Sequence, residues 1–287
     1  MISFGILTAP QQVSYADLVR VWEEADTLPE LEHAWVFDHL LPIGGDPDGP
    51  ILEGWTVLSA LAARTDRLRL GTMVTSNRLR PPAVLAKIAT TVDHVSGGRL
   101  DLGIGVGSRP QVPIARREYA AHGLPYLGTG DAVERLAESL TVIKRLWTAT
   151  ERFDFEGEQV RLTDALANPK PVQRPHPPIL IGGGAPSTLR LVAEHADLWN
   201  YQGGDPADGV RRGRELDRYC EEIGRDPTAV TRSMVLGVDY HDPGTTRASV
   251  DAALETGFTH LVLSLPTPYL ADVAHWLVEE VVNPSAR

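Results

Sequence analysis

Short β-branched or apolar runs alternate with longer amphipathic ones from one end of the chain to the other, and this alternation limits the fold more than any single motif does. A strand that must pair in parallel with the next needs a crossover helix between them, so such a pattern points to repeated βα units rather than to a sandwich or a bundle. Strands are expected at 2–7, 33–37, 68–74, 100–106, 179–181, 198–200, 230–238 and 260–265. Helices are expected from Ser14, over 55–64, 82–95 and 131–147, from Ser187, over 206–223, near 246–256 and over 269–282. The reading is an α/β protein, a (β/α)8 TIM barrel occupying residues 1–287 as one domain.

Local signals sharpen the boundaries. Ser14 can cap a helix with Asp17 three residues on, and Pro82 sits where a helix tolerates proline, in its first turn. Ser96-Gly97-Gly98 then stops that helix. Residues 107–130, rich in Pro, Gly and Arg, precede the helix at 131–147 and read as an excursion over the C-terminal mouth of the barrel. Residues 153–162 alternate around Glu156-Gly157 as a small hairpin would, and a proline-rich stretch at 169–178 leads into the fifth strand.

At 287 residues, one barrel accommodates the whole chain. The net charge of −11 repels nucleic acid and anionic membranes. No apolar run approaches the length needed to cross a bilayer. Cys220 is the only cysteine, which excludes an intrachain disulfide, and the start, Met1-Ile2-Ser3-Phe4-Gly5, has neither a basic flank nor an apolar core, so a cytoplasmic address is expected.

In a barrel of this kind the working residues follow the strand ends, because the βα loops build one face. That rule selects Asp38-His39 after the second strand, Thr75-Ser76-Asn77 after the third, and Gly105-Val106-Gly107-Ser108-Arg109 after the fourth. It also selects Gly182-Gly183-Gly184 after the fifth and Asn200-Tyr201 after the sixth. Asp38-His39 is the acid/base candidate, since imidazole titrates near neutrality, although such a pair also serves as a plain strand-end cap.

The run Ile179 to Thr188 reads as strand, glycine loop and helix start, which can aim backbone N–H groups at a phosphate or can simply turn the chain. Gly103-Ile104-Gly105-Val106-Gly107 lacks the spacing and the later acidic residue of a dinucleotide fingerprint, and Arg109 supplies positive charge beside it. His94, His195 and His275 fall in expected helices, and His33 and His260 at strand starts, so all five read as structural. No HExxH, CxxC or GxSxG pattern supports a metal or a serine hydrolase.

Phe37-Asp38-His39-Leu40, Gly71 to Thr75, the run PAVLAKIATTVDHVSGGRLDLGIGVG from Pro82 to Gly107, and Pro178 to Gly184 together resemble the luciferase-like oxidoreductases. Leu191 to Asn200 and Gly257 to Pro266 extend the likeness over nearly the whole chain, in the style of the branch that uses the deazaflavin coenzyme F420. The resemblance implies a bacterial-luciferase-like barrel with Asp38 and His39 beside the deazaflavin ring, and a non-proline cis peptide between Met73 and Val74, next to Thr75, against the ring face. It also implies that Gly105, Gly107, Ser108 and Arg109 line the cofactor tail and that Gly182, Gly183, Gly184 and Ala185 cradle its phosphate.

Relatives that oxidise glucose 6-phosphate carry a tryptophan four residues after the active-site histidine and a glutamate after the GxG. Here those positions are Ile43 and Ser108, so a less polar small molecule is the expected substrate. The expected chemistry is hydride transfer at the deazaflavin C5, with His39 exchanging the proton and Asp38 orienting it.

The alternative is an FMN-dependent monooxygenase that takes reduced flavin from a separate reductase. A barrel that stores flavin without turnover would not need Asp38-His39, and an aldolase or isomerase would need a strand-end lysine or glutamate. A homodimer is expected from the likeness and the apolar helix faces.

Overall fold

The computed structural model describes residues 2–108, 112–202 and 206–285. Eight parallel strands close into a barrel: β1 (Ser3–Thr8), β2 (His33–Asp38), β3 (Arg69–Ser76), β4 (Leu100–Gly105), β7 (Ile179–Gly182), β8 (Leu198–Tyr201), β9 (Thr231–Gly237) and β10 (His260–Leu265). Around the ring the order is β1-β10-β9-β8-β7-β4-β3-β2. A two-stranded antiparallel hairpin outside the barrel pairs β5 (Phe153–Glu156) with β6 (Arg161–Ala165). The helices are α1 (Tyr15–Asp26), α2 (Gly54–Ala62), α3 (Pro82–Val95), α4 (Pro113–Ala121), α5 (Thr129–Thr148), α6 (Pro186–His195), α7 (Pro206–Glu222), α8 (Pro243–Glu255) and α9 (Val273–Leu277).

Alternation along each strand divides the apolar residues between two cores. The larger core lies between barrel and helices, where Ile6, Ala34, Val36, Ile104 and Ile181 meet helical residues such as Leu18, Trp22, Leu58 and Leu189. The smaller one fills the barrel with Trp35, Met73, Leu180 and Val262. Towards the strand starts, His33 stacks on His260 at 3.8 Å between ring centroids, Trp35 Nε1 donates to His33 Nδ1 at 2.8 Å, and the Ser233 hydroxyl pairs with His260 Nδ1 at 2.8 Å. Both histidines belong to the barrel's buried foundation, at the end opposite the catalytic mouth.

The caps act as the sequence indicates. Ser14 and Asp17 form a capping box at α1, and Pro82 opens α3. Arg99, inside the long PAVLAK motif, donates to the carbonyls of Ala62 and Thr65 at 2.9 and 2.6 Å, satisfying the C-terminal end of α2. That part of the motif is structural.

Three expectations need correction. The excursion at 107–130 holds a helix of its own, α4, which begins on a proline and buries Ala115 and Tyr119; its charged Arg116-Arg117-Glu118 run hid that short apolar stripe. The helix expected at 131 starts two residues earlier, at Thr129. The closing helix expected over 269–282 begins at Val273 and passes after Leu277 into a π-helical turn, Val278–Val282, which keeps Val278, Val281 and Val282 buried together. Among the described residues, no helix is long and apolar enough to cross a membrane.

Candidate active site at the barrel mouth

β2 runs fully buried from His33 to Asp38, so its last side chain emerges at the mouth already shielded from water. A buried carboxylate needs partners. Arg80, from the β3–α3 connection, supplies them in fork geometry: its Nη1 donates to Asp38 Oδ2 at 2.5 Å and its Nη2 to Oδ1 at 3.0 Å. The Thr75 hydroxyl also donates to Asp38 Oδ2 and receives Trp55 Nε1 at 3.3 Å. Glu53, which caps α2 through the Thr56 N–H, takes the other edge of Arg80. Burial pulls the Arg80 guanidinium down, but its bonds and charge contacts with Asp38 and Glu53 outweigh that and raise it above the ordinary arginine value.

The carboxylate that orients His39 is therefore not Asp38, whose hydrogen bonds all go to Arg80 and Thr75. His39 Nδ1 lies 3.0 Å from Oε1 and 3.2 Å from Oε2 of Glu118, on α4. The same Oε1 accepts the Leu40 N–H at 2.6 Å, which fixes Glu118 against the β2–α2 loop. Burial pushes the Glu118 carboxyl up, but the hydrogen bond and charge of His39 and the N–H groups of Leu40 and Leu41 prevail and hold it below the usual glutamate value. With Nδ1 committed, Nε2 is the ring nitrogen left without a partner among the described residues, and the His39 side chain is 19% exposed. Ser108 stands where the sugar-phosphate relatives carry a glutamate, and α4 delivers an acid to the histidine by another route.

The peptide between Met73 and Val74 is cis, as the resemblance implied. Strand register slips on both sides of it, between Val36 and Asp38 against β2 and between Gly71 and Thr75 against β4. The bulge explains the glycines of the neighbouring strands. A Cβ on Gly103 would stand 1.7 Å from the Thr72 carbonyl oxygen, one on Gly105 2.9 Å from Val74 Cγ2, and one on Gly182 3.2 Å from Val74 Cγ1. Gly105 and Gly182 are bare because Val74 lies across them, a reason that a single sequence does not reveal.

The triple glycine turns the chain from β7 into the start of α6. Gly183, at φ +129°, donates its N–H to the Asn200 carbonyl at 3.1 Å and accepts Trp199 Nε1 at 2.6 Å, so it is the turn. Gly184 and Ala185 follow it into α6, whose N-cap is Ala185 with no side-chain cap and whose first residue is a proline. Amides left uncapped at the start of a ten-residue helix suit a phosphate. Ser187 and Thr188 lie in that first turn.

Gly107, at φ +97°, faces Ser76 and Tyr119, whose oxygens are 2.7 Å apart, and Ser108 offers its carbonyl to the Tyr126 hydroxyl at 2.9 Å. Arg109 lies outside the described residues. Among the described residues no group of three or more His, Cys, Asp or Glu is placed to hold a metal ion. The mouth thus brings together Asp38, His39, Met73, Val74, Thr75, Gly105, Gly107, Ser108, Gly182, Gly183, Gly184 and Ala185, on four strands that are neighbours in the ring. Sequence reasoning missed Glu53, Arg80 and Glu118. Arg80 could have been found by carrying the strand-end rule past Asn77, whereas nothing in the sequence ties Glu118 to His39.

Residues 2–255 match the sequence profile of the luciferase-like monooxygenase family. An uncharacterized protein of Mycobacterium tuberculosis is 31% identical over 220 residues, 77% of this chain and 70% of its own length. The F420-dependent glucose-6-phosphate dehydrogenase of Amycolatopsis mediterranei is 31% identical over 229 residues, 78% of this chain and 61% of that protein. Among solved structures, an F420-dependent secondary alcohol dehydrogenase in complex with an F420-acetone adduct superposes with a TM-score of 0.86 at 16% identity, covering 100% of this chain and 99% of that one. With its closed barrel, its bulge at Met73–Val74 and a profile match over most of its length, the chain belongs to the luciferase-like monooxygenase family, a family of oxidoreductases.

Proposed function

We propose that the protein is an F420-dependent oxidoreductase that transfers a hydride between the deazaflavin C5 and a small organic substrate. The observation that carries this reading is the pairing of His39 with Glu118 at the end of β2, the strand that pairs with the one carrying the Val74 bulge. It leaves one protonatable nitrogen at the mouth of a barrel otherwise ready for a ring and a phosphate. The residues fit the cofactor: Gly184, Ala185 and the uncapped start of α6 suit its phosphate, and Val74, lying over Gly105 and Gly182, would back the ring. The relative from Amycolatopsis whose name specifies F420 supports the choice of cofactor.

The deazaflavin supplies a carbon that gives or accepts hydride; the protein supplies position and proton. Glu118 holds the Nδ1 edge of His39, so Nε2 gives up or takes the proton that accompanies hydride transfer. Asp38 acts one step removed. Its ion pair with Arg80 and its bond to Thr75 tie the end of β2 to the end of β3 just past the bulge. Ile43 and Ser108, in place of the aromatic and acidic residues of the sugar-phosphate enzymes, favour a substrate less polar than glucose 6-phosphate.

A reduced-FMN monooxygenase would use the same phosphate cradle, with a separate reductase as partner. Turnover separates the two readings. Reduced F420 mixed with a panel of small ketones, enones and imines, followed through loss or recovery of deazaflavin absorbance, should show turnover in wild type and at least about a hundredfold less in His39→Asn. Oxygen-dependent consumption of reduced FMN with no F420 turnover would overturn the proposal.

A further inference from the structure

Arg78 sits in the β3–α3 connection and is only 5% exposed, yet neither its Nε nor its Nη1 has a hydrogen-bond partner among the described residues. Among the described residues no carboxylate forms an ion pair with it. Its neighbour Arg80, two residues on, takes both Asp38 and Glu53. What Arg78 has instead is the face of Tyr126, 4.6 Å from its guanidinium carbon, and a second cation, Arg116, lies 5.4 Å from the same ring. A cation–π contact recovers only a fraction of what a guanidinium loses on leaving water, and a second arginine adds repulsion. Two positive charges gathered on one tyrosine, one of them enclosed with open donors, are completed by an anion.

The surroundings suit one. Gly107, at φ +97°, keeps the chain bare beside Arg78: a Cβ there would stand 2.4 Å from Ser76 Oγ, 3.1 Å from Tyr119 Oη and 3.4 Å from Arg78 Cδ. β3, β4 and β7 are successive in the ring, tied at their ends by the Asn77 N–H to the Gly105 carbonyl at 2.9 Å and by the register of Gly105 with Gly182. The path from the phosphate cradle at Gly184 to Arg78 therefore crosses one strand end, that of Gly107 and Ser108.

We propose that Arg78, with Arg116 at the same Tyr126 ring, forms a second anion subsite that takes a phosphate or carboxylate group of the cofactor's tail. The subsite is separate from the glycine cradle at α6. This rests on the F420 reading, since a deazaflavin tail carries a phosphodiester and several carboxylates whereas FMN ends in one phosphate. An anionic substrate shares the chemistry, and the test separates the two sources.

The experiment titrates wild type, Arg78→Gln and Arg78→Lys with three deazaflavins: one ending at the ribityl chain, one ending at the phospholactyl group, and one with the full oligoglutamate tail. Fluorescence quenching gives each affinity. Melting temperature is followed with and without inorganic phosphate. In wild type, affinity should rise at least about tenfold when an anionic unit is added, and Arg78→Gln should lose that step while binding the ribityl compound unchanged.

Arg78→Lys keeps the charge without the fork and should retain part of the step, which keeps the test usable if the glutamine variant folds poorly. Unliganded Arg78→Gln should melt no lower than wild type, because the substitution removes an uncompensated charge. Equal weakening of all three ligands together with a lowered melting temperature would make Arg78 a structural residue and overturn the proposal. So would an unchanged tail dependence, which leaves an anionic substrate as the remaining source. If wild type binds no deazaflavin, the cofactor reading falls. The subsite is then judged by phosphate alone: protection that is smaller in Arg78→Gln than in wild type supports it, and protection equal to wild type overturns it.

Discussion

His39 and Glu118 are 79 residues apart in sequence, yet Nδ1 of the first lies 3.0 Å from Oε1 of the second, and that same oxygen accepts the backbone N–H of Leu40 at 2.6 Å. The histidine that the resemblance places beside the cofactor is thus held by a carboxylate from a helix that the strand-end rule does not cover. The geometry assigns the Nδ1–H tautomer to neutral His39. In Glu118→Leu that constraint disappears, and nitrogen NMR of the imidazole should show the Nε2–H tautomer gaining population. Turnover should fall about 10–100-fold while deazaflavin affinity changes little, since Glu118 is a positioning residue. An unchanged tautomer would remove Glu118 from the mechanism.

Asp38 makes a different demand. Its side chain is fully enclosed and bonded to Arg80 and Thr75, so removing the cation strands a buried carboxylate. Arg80→Met is expected to destabilise the protein by about 3–5 kcal/mol in urea unfolding, and Asp38→Asn added to it should restore part of the loss. Additive losses in the double variant would show that the two groups are not coupled.

Packing at the bulge predicts a rescue. A methyl group on Gly105 meets Val74 Cγ2 at 2.9 Å, a side chain that can be shortened, whereas one on Gly103 meets the Thr72 carbonyl oxygen at 1.7 Å, which cannot move without the strand. Gly105→Ala should cost about 1–3 kcal/mol and be relieved by Val74→Ala. Gly103→Ala should not be relieved. Thermal melts of the three single and two double variants distinguish the cases.

Stability should also fall in mild acid. Burial, with the charges of Lys144 and Arg225, lowers His195 to about 4, and burial with the Arg69 charge lowers His260 to about 4, from an ordinary value of 6.5. Between pH 6.5 and 4 the unfolded chain therefore binds protons that the folded one refuses, so stability declines as pH drops through that window. Glu118 extends the decline. Its folded value lies below 4.5, so its contribution, complete above that pH, is lost as pH falls further. His195→Gln should flatten the upper limb of the curve and Glu118→Gln the lower one.

The barrel was legible because its signal is periodic and repeated: eight apolar strands and their amphipathic helices read correctly to within a few residues, apart from the closing helix. Site residues that follow strand ends, Asp38, His39 and Gly182 to Gly184, were legible for the same reason. Glu118 was not, because a charged α4 inside a Pro- and Gly-rich excursion carries no periodic mark and its contact with His39 is purely tertiary. The reason for Gly103 and Gly105 was equally hidden. Both glycines make room for residues of β3, which becomes visible only when β3 is laid beside β4. Family likeness supplied the bulge at Met73–Val74; periodicity would have drawn an ordinary strand there.

The central claim is that this mouth holds a deazaflavin for hydride transfer, with His39 exchanging the accompanying proton. A side-by-side fluorescence titration of the purified protein with F420 and FMN, each oxidised and reduced, tests it most directly. The account predicts saturable binding of F420 with FMN ignored. Preference for reduced FMN would contradict it and place the protein among the oxygen-using members of its family.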